Sequence, residues 1–166
     1  MGITIFDMDA TTPHPGVAID ADGVATRDTN GGWVTLRSTQ PLSAASHQWA
    51  VRVLDHGEGA DGSGLMLGLM PKAAPHAASM MGSKYISELG GWCLSRAGEC
   101  YGPWKCERLA YGSGCVVEFD LDVASKTLRI VCGKDVAVGH IPALADGDEL
   151  FPAVSLYYAN QRVCFA

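Results

Sequence analysis

The sequence predicts an all-β fold, an antiparallel β-sandwich of about a dozen strands, and three observations carry that expectation. Apolar and polar residues alternate with a period of two from end to end, the pattern of strands with one buried face. Glycine is abundant, 20 of 166 residues, or about 12% against a usual share of about 7%. The one segment with helical character, Ala73 to Leu89, is interrupted by Pro75, by Gly82 and by the Met-rich centre at Met80-Met81. A hydrophobic share of 48% with a charged share of 18% belongs to a folded chain rather than a disordered one. A chain of this length forms one domain, residues 1–166, able to bury about 68–70% of its unfolded surface.

In chain order the predicted strands are Ile3 to Phe6, Val17 to Asp20, Val24 to Arg27, Trp33 to Ser38, His47 to Leu54, Leu65 to Met70 and Gly91 to Ser95. They continue with Arg108 to Tyr111, Cys115 to Asp122, Thr127 to Cys132, Val136 to Ile141, Pro152 to Leu156 and Arg162 to Phe165. The alternation assigns faces directly. Val117, Phe119 and Leu121 point in while Glu118, Asp120 and Asp122 point out, and Trp49, Val51 and Val53 oppose Gln48, Ala50 and Arg52. Trp33, Trp49 and Trp92 are core candidates. Ala21-Asp22-Gly23, Asp122 to Lys126 and Gly133-Lys134-Asp135 have the chemistry of hairpin turns, since Gly and Asp tolerate the positive φ such turns need.

Charge excludes several function classes. Lys plus Arg is 12 against 18 Asp plus Glu, a net charge of -6, and no window clusters cations as phosphate binding requires, so nucleic acid is not an expected partner. No apolar stretch approaches the ~20 residues of a membrane span. The start Met1-Gly2-Ile3-Thr4 lacks the charged and apolar regions of a secretory signal, and Phe6 stands where a myristoylation motif needs Ser or Thr. The expected location is the cytoplasm or nucleus, with the six cysteines as reduced thiols and the chain a monomer. A zinc site from Cys93, Cys100 and Cys106 is conceivable, although the spacing is not finger-like. No cofactor is expected.

Two segments imitate enzyme motifs. Ile3 to Thr11 resembles the haloacid dehalogenase signature, an apolar strand delivering D-x-D-x-T, with Asp7 as nucleophile and Asp9 as general acid of an alternative phosphoesterase. That chemistry needs a parallel sheet flanked by helices, whereas hairpins follow. Gly57 to Gly62 matches G-x-G-x-x-G, yet a strand-like run to Pro71 follows where a helix must open, and Asp55, Glu58 and Asp61 would repel phosphate. The same carboxylates lack the spacing of a Ca²⁺ loop. No G-x-S-x-G, H-E-x-x-H or Walker loop occurs, and the five histidines have no ligand spacing. A carbohydrate-binding sandwich with exposed aromatics is a further alternative.

From Pro41 onward the order of landmarks resembles the SPRY domain family. Pro41-Leu42 and His47-Gln48-Trp49-Ala50-Val51 are similar to its "G-x-H-x-W-E-V" opening, without the glycine and with Ala50 for Glu. Leu67-Gly68-Leu69, and Gly91-Trp92-Cys93-Leu94 with Gly98 and Tyr101, resemble its next two segments. Val117 to Asp122, Leu128-Arg129-Ile130 and Gly133 follow its "I-G-V-x-L-D … T-L-x-F … N-G" pattern with Cys132 for Asn, and Leu150 to Ser155 is nearly its "L-Y-P-A-V-S".

The resemblance implies a concanavalin-like pair of stacked sheets acting as a protein-recognition module without catalysis, binding a protein or short peptide through loops at one end. Carried over position by position, it implies contacts from Arg27, Asp28, Thr29 and Asn30, from Tyr101, and from Tyr157-Tyr158, where Tyr158 holds the place of a family Trp. Trp104 joins them as an aromatic in a predicted loop, since Tyr, Trp and Arg dominate binding hot spots. The end of the chain directly after the last predicted strand suggests a domain excised from a larger protein.

Overall fold

Alternation resolves into two stacked antiparallel sheets. A computed structural model describes residues 6–10, 14, 16–43, 47–57, 62–72, 84–144 and 147–166. Among them the strands are β1 (Val17–Ile19), β2 (Ala25–Arg27), β3 (Val34–Arg37), β4 (Gln48–His56), β5 (Leu65–Pro71), β6 (Trp92–Ser95) and β7 (Cys100–Tyr101). They are followed by β8 (Lys105–Cys106), β9 (Val116–Asp122), β10 (Thr127–Cys132), β11 (Asp135–His140), β12 (Leu150–Leu156) and β13 (Gln161–Phe165). An eight-stranded sheet runs β1-β2-β13-β4-β9-β10-β11-β8 and a five-stranded sheet runs β3-β12-β5-β6-β7. No helix among the described residues is long and apolar enough to cross a membrane.

The core lies between the sheets. Trp49 on β4 is the register partner of Phe119 on β9, and their rings stack at 4.9 Å. Around them the eight-stranded sheet contributes Val51, Val53, Val117, Leu121, Ile130 and Val163, and the five-stranded sheet answers with Leu36, Leu67, Leu69, Leu94 and Val154. The outer face of the smaller sheet is also covered. Met66, Met70, Cys93 and Ala153 pack there against Ile86 and Leu89 of a short 3-10 helix, Ile86–Leu89. Burial on both faces explains why Leu65 to Met70 reads as a continuous apolar run. It also explains Gly68, where a Cβ would strike the Trp92 carbonyl on the neighbouring strand.

Several expectations are corrected. Arg108 to Tyr111 is not a strand; Leu109 and Tyr111 are buried as plugs, and the Tyr111 phenol donates to the Leu94 carbonyl at 2.7 Å, closing the space between the sheets. Alternation there records burial without a ladder. Strands β7 and β8 were not predicted, being only two residues each. Of the weak helical piece, Ile86–Leu89 is a 3-10 helix and 73–83 lie outside the described residues, as do 3–5 of the first predicted strand and 58–61 of the glycine-rich loop.

The phosphoesterase alternative loses its scaffold. Met8, between Asp7 and Asp9, bridges antiparallel to Ser38, and the Asp9 amide donates to the Arg37 carbonyl. Asp7 is exposed while Asp9 is buried, and every strand pairing among the described residues is antiparallel. The zinc reading fails on sidedness: Cys93 belongs to the outer cluster, whereas Cys100 and Cys106 pack against the main core on the other side of the smaller sheet.

Candidate functional site

Two crossovers between the sheets run side by side. The β2–β3 loop and the β12–β13 turn are joined by the Ala159 amide donating to Asn30 Oδ1 at 2.8 Å and the Asn160 amide donating to the Arg27 carbonyl at 2.8 Å. Beside them five partly exposed aromatic rings form a strip that runs from the β12–β13 turn onto the outer face of the smaller sheet, where Trp33, Tyr85 and Tyr101 pack against the outer cluster. Tyr158 meets Tyr157, Tyr157 meets Trp33, Trp33 meets Tyr85 and Tyr85 meets Tyr101, with centroids 5.0, 5.1, 5.1 and 5.9 Å apart. The five rings come from four elements. Trp33 precedes β3, Tyr85 caps the 3-10 helix, Tyr101 ends β7, and Tyr157-Tyr158 opens the β12–β13 turn.

A buried glutamine holds that turn. Gln161 is 1% exposed, and its side-chain oxygen accepts from the Tyr157 and Tyr158 amides at 2.8 and 3.0 Å. Its side-chain nitrogen donates to the His56 and Gly64 carbonyls at 3.2 and 2.8 Å. One amide therefore satisfies four backbone groups from three segments, which rigidifies the turn in place of a regular ladder. Gly64 lies directly beneath the Tyr158 ring, where any Cβ would collide with it.

A second device seats Tyr85. Thr35 Oγ1 donates to the Lys84 carbonyl at 2.8 Å and lies 2.7 Å from Ser155 Oγ, which in turn accepts from the Ile86 amide at 3.1 Å. Since the Thr35 proton is committed to Lys84, the Ser155 hydroxyl donates to Thr35. The result is a relay, Ile86 N–H to Ser155 to Thr35 to Lys84 carbonyl, clamping the backbone on both sides of Tyr85. Ser155→Ala leaves the buried Ile86 amide without its acceptor, and the expected loss is about 1–3 kcal/mol. Hydrogen exchange checks this: the Ile86 amide is expected to speed up more than amides of β5.

The sequence-derived site residues divide into two groups. Asp28, Thr29 and Asn30 are exposed on the first loop, and Tyr101, Tyr157 and Tyr158 stand in the strip. Arg27 and Trp104 are placed differently. Arg27 is 3% exposed, its Nη2 donating to the Gly31 and Gly32 carbonyls at 2.8 and 3.0 Å, so it shapes the loop from beneath. Trp104 is 6% exposed, with its indole N–H on the Tyr101 carbonyl at 3.0 Å and its ring against Gly139, where a Cβ would collide. It plugs the sandwich end. Trp33, assigned to the core, instead lies half-buried at the centre of the strip. Tyr85, Gln161 and Ser155 were missed.

Other concavities lie elsewhere. A cavity of about 710 Å³ opens at the far end of β12, lined by Leu42, His47, Asp120, Asp122, Asp148 and Leu150, with His47 Nε2 3.5 Å from Asp120. No group of potential metal ligands assembles among the described residues.

No family model and no curated protein matches the chain. Solved structures do. The SPRY domain of human HERC1 matches with a TM-score of 0.67 at 16% identity, covering 90% of this chain and 91% of that one. The PSpry domain of TRIM65 matches with a TM-score of 0.70 at 16% identity, covering 99% and 93%. The Neuralized NHR1 domain of Drosophila melanogaster matches with a TM-score of 0.62 at 11% identity, covering 98% of each chain. The architecture is the SPRY-type sandwich.

Proposed function

We propose that this chain is a non-catalytic protein-interaction module that captures a short peptide segment on the strip formed by Trp33, Tyr85, Tyr101, Tyr157 and Tyr158. The exposed residues Asp28, Thr29 and Asn30 form its polar border. One observation carries the reading: five linked aromatic rings remain partly exposed although the backbone beneath them is pinned by Gln161 and by the Thr35–Ser155 relay. Rigid aromatics on a fixed scaffold give large contact area at low entropic cost, the property of binding hot spots. The position agrees with the loop end at which the SPRY resemblance places ligand contacts, and function on loops held by a rigid sandwich is a general pattern.

The test compares the wild-type chain with Tyr101→Ala/Tyr158→Ala in quantitative pull-down with mass spectrometry. Proteins enriched by the wild type are expected to be lost with the double variant, while its thermal midpoint falls by only a few degrees. Unchanged enrichment by a folded double variant would overturn the reading.

A further inference from the structure

The chemistry around the strip indicates what kind of segment it takes, an inference that rests on the reading just proposed. Carboxylates are fastened to the strip itself. Glu99 Oε2 accepts from the Tyr101 phenol at 3.2 Å, and Glu88 Oε1 accepts from the Tyr85 amide at 3.3 Å. Asp28 lies exposed on the adjoining loop, and all three carboxylates face solvent. Opposing cations are few. The Arg27 guanidinium is turned inward onto the Gly31 and Gly32 carbonyls, the exposed Lys84 lies ahead of the 3-10 helix, and the exposed Arg108 is held on the Ala97 carbonyl beside the turn that carries Glu99. The chain as a whole carries -6.

Ring geometry adds to the charge. Trp33 and Tyr157 are inclined at 61°, Tyr157 and Tyr158 at 75°, and Tyr85 and Tyr101 at 84°. Edge-to-face rings turn their faces in different directions, so the strip has corners walled by π-faces, the electron-rich part of an aromatic ring. A cation over such a face is attracted by the ring quadrupole, and Arg stacks there while retaining N–H donors for a neighbouring carboxylate.

We infer that the strip recognises cationic side chains, Arg or Lys, within its peptide partner, with Glu99 at the Tyr101 end and Asp28 on the adjoining β2–β3 loop as separate counter-charges. An acidic segment would instead meet the carboxylates of Asp28, Glu88 and Glu99, with Lys84 and the already engaged Arg108 among the exposed cations nearby. The negative field also favours encounter with a basic segment over an acidic one.

Three acetylated and amidated hexapeptide pools on a Gly/Ser/Ala background, with the two central residues fixed as Arg-Arg, Leu-Leu or Glu-Glu, test this by titration into ¹⁵N-labelled protein. The Arg pool is expected to shift the Trp33 indole N–H and the Tyr101, Tyr157 and Tyr158 amides. Asp28→Asn/Glu99→Gln is expected to weaken that binding about tenfold, as is added salt. Both substitutions are at exposed positions, and retention of the remaining amide spectrum reports that the fold is kept. A stronger response to the Leu or Glu pool would overturn the cationic preference while leaving the aromatic site standing. Shifts from the Arg pool confined to the Asp120 and Asp122 cavity would overturn it too. If no pool moves the strip, the inference and the peptide-site reading fail together.

Discussion

Replacing Gln161 by Ala is expected to destabilise the protein by about 3 kcal/mol and to abolish binding at the aromatic strip. The side chain is 1% exposed, and its loss strands two amides, of Tyr157 and Tyr158, and two carbonyls, of His56 and Gly64. Each buried polar group without a partner costs about 1–3 kcal/mol, and local opening to water recovers part of the sum. Recovery by water means that the turn moves, which separates Tyr157 from Trp33 and Tyr158 from its seat over Gly64. Urea unfolding measures the first effect and peptide titration the second.

Gln161→Glu makes the attribution specific. The carboxylate keeps an acceptor for the two amides but faces the His56 and Gly64 carbonyls with an oxygen that has no proton. Burial of that carboxylate raises its folded-state pKa above the unfolded value, so the variant is most stable below the ordinary Glu pKa and loses stability as pH rises through the folded one. Wild-type-like stability of Gln161→Glu at neutral pH would show that the clamp contributes little.

How far this site was legible depends on which physical rule each residue obeys. Strands β4, β9 and β10 were readable because one face meets the core and the other meets water, so polarity records direction. Trp33 was misassigned because the smaller sheet is covered on both faces, and an aromatic residue fits either one. Tyr85 caps a 3-10 helix too short to have a period. Gln161 did leave a signal. It shares parity with the inward residues Val163 and Phe165, and a polar residue on an inward position has to find partners inside. The resemblance assigns Arg27 to the site by position and residue type assigns Trp104, whereas both sit beneath the surface and shape what the exposed residues present.

Raising the pH above about 9 is expected to destabilise the protein progressively, with Cys93 the most strongly shifted of the thiols responsible. Burial pushes this thiol from an ordinary value of 9.0 up to about 12, partly countered by hydrogen bonding with Ser87. The thiol also lies 4.0 Å from the Tyr101 carbonyl, under the segment that carries Tyr85. A raised folded-state pKa means that the native protein holds the proton after the unfolded chain has released it. Cys93 therefore favours the native state fully below the unfolded pKa, and that contribution is lost as pH rises toward the folded one. Cys106 and Cys132, each pushed up to about 11 by burial first of all, lose the same kind of contribution over the lower part of that range. Tyr111, fully buried with its phenol on the Leu94 carbonyl and likewise raised well above its usual value, adds to the loss at the upper end of the range. Urea midpoints measured from neutral pH upward should stay level to about pH 8 and then fall. Cys93→Ser, which removes the most shifted thiol, should make the decline shallower, leaving the share of Cys106 and Cys132, whatever its stability at neutral pH. A decline of equal steepness in Cys93→Ser would assign it to other groups. Because Cys93 packs beneath the Tyr85 segment, its ionisation should also accelerate exchange of the Ile86 amide before the core amides of β4, coupling alkaline loosening to the aromatic strip.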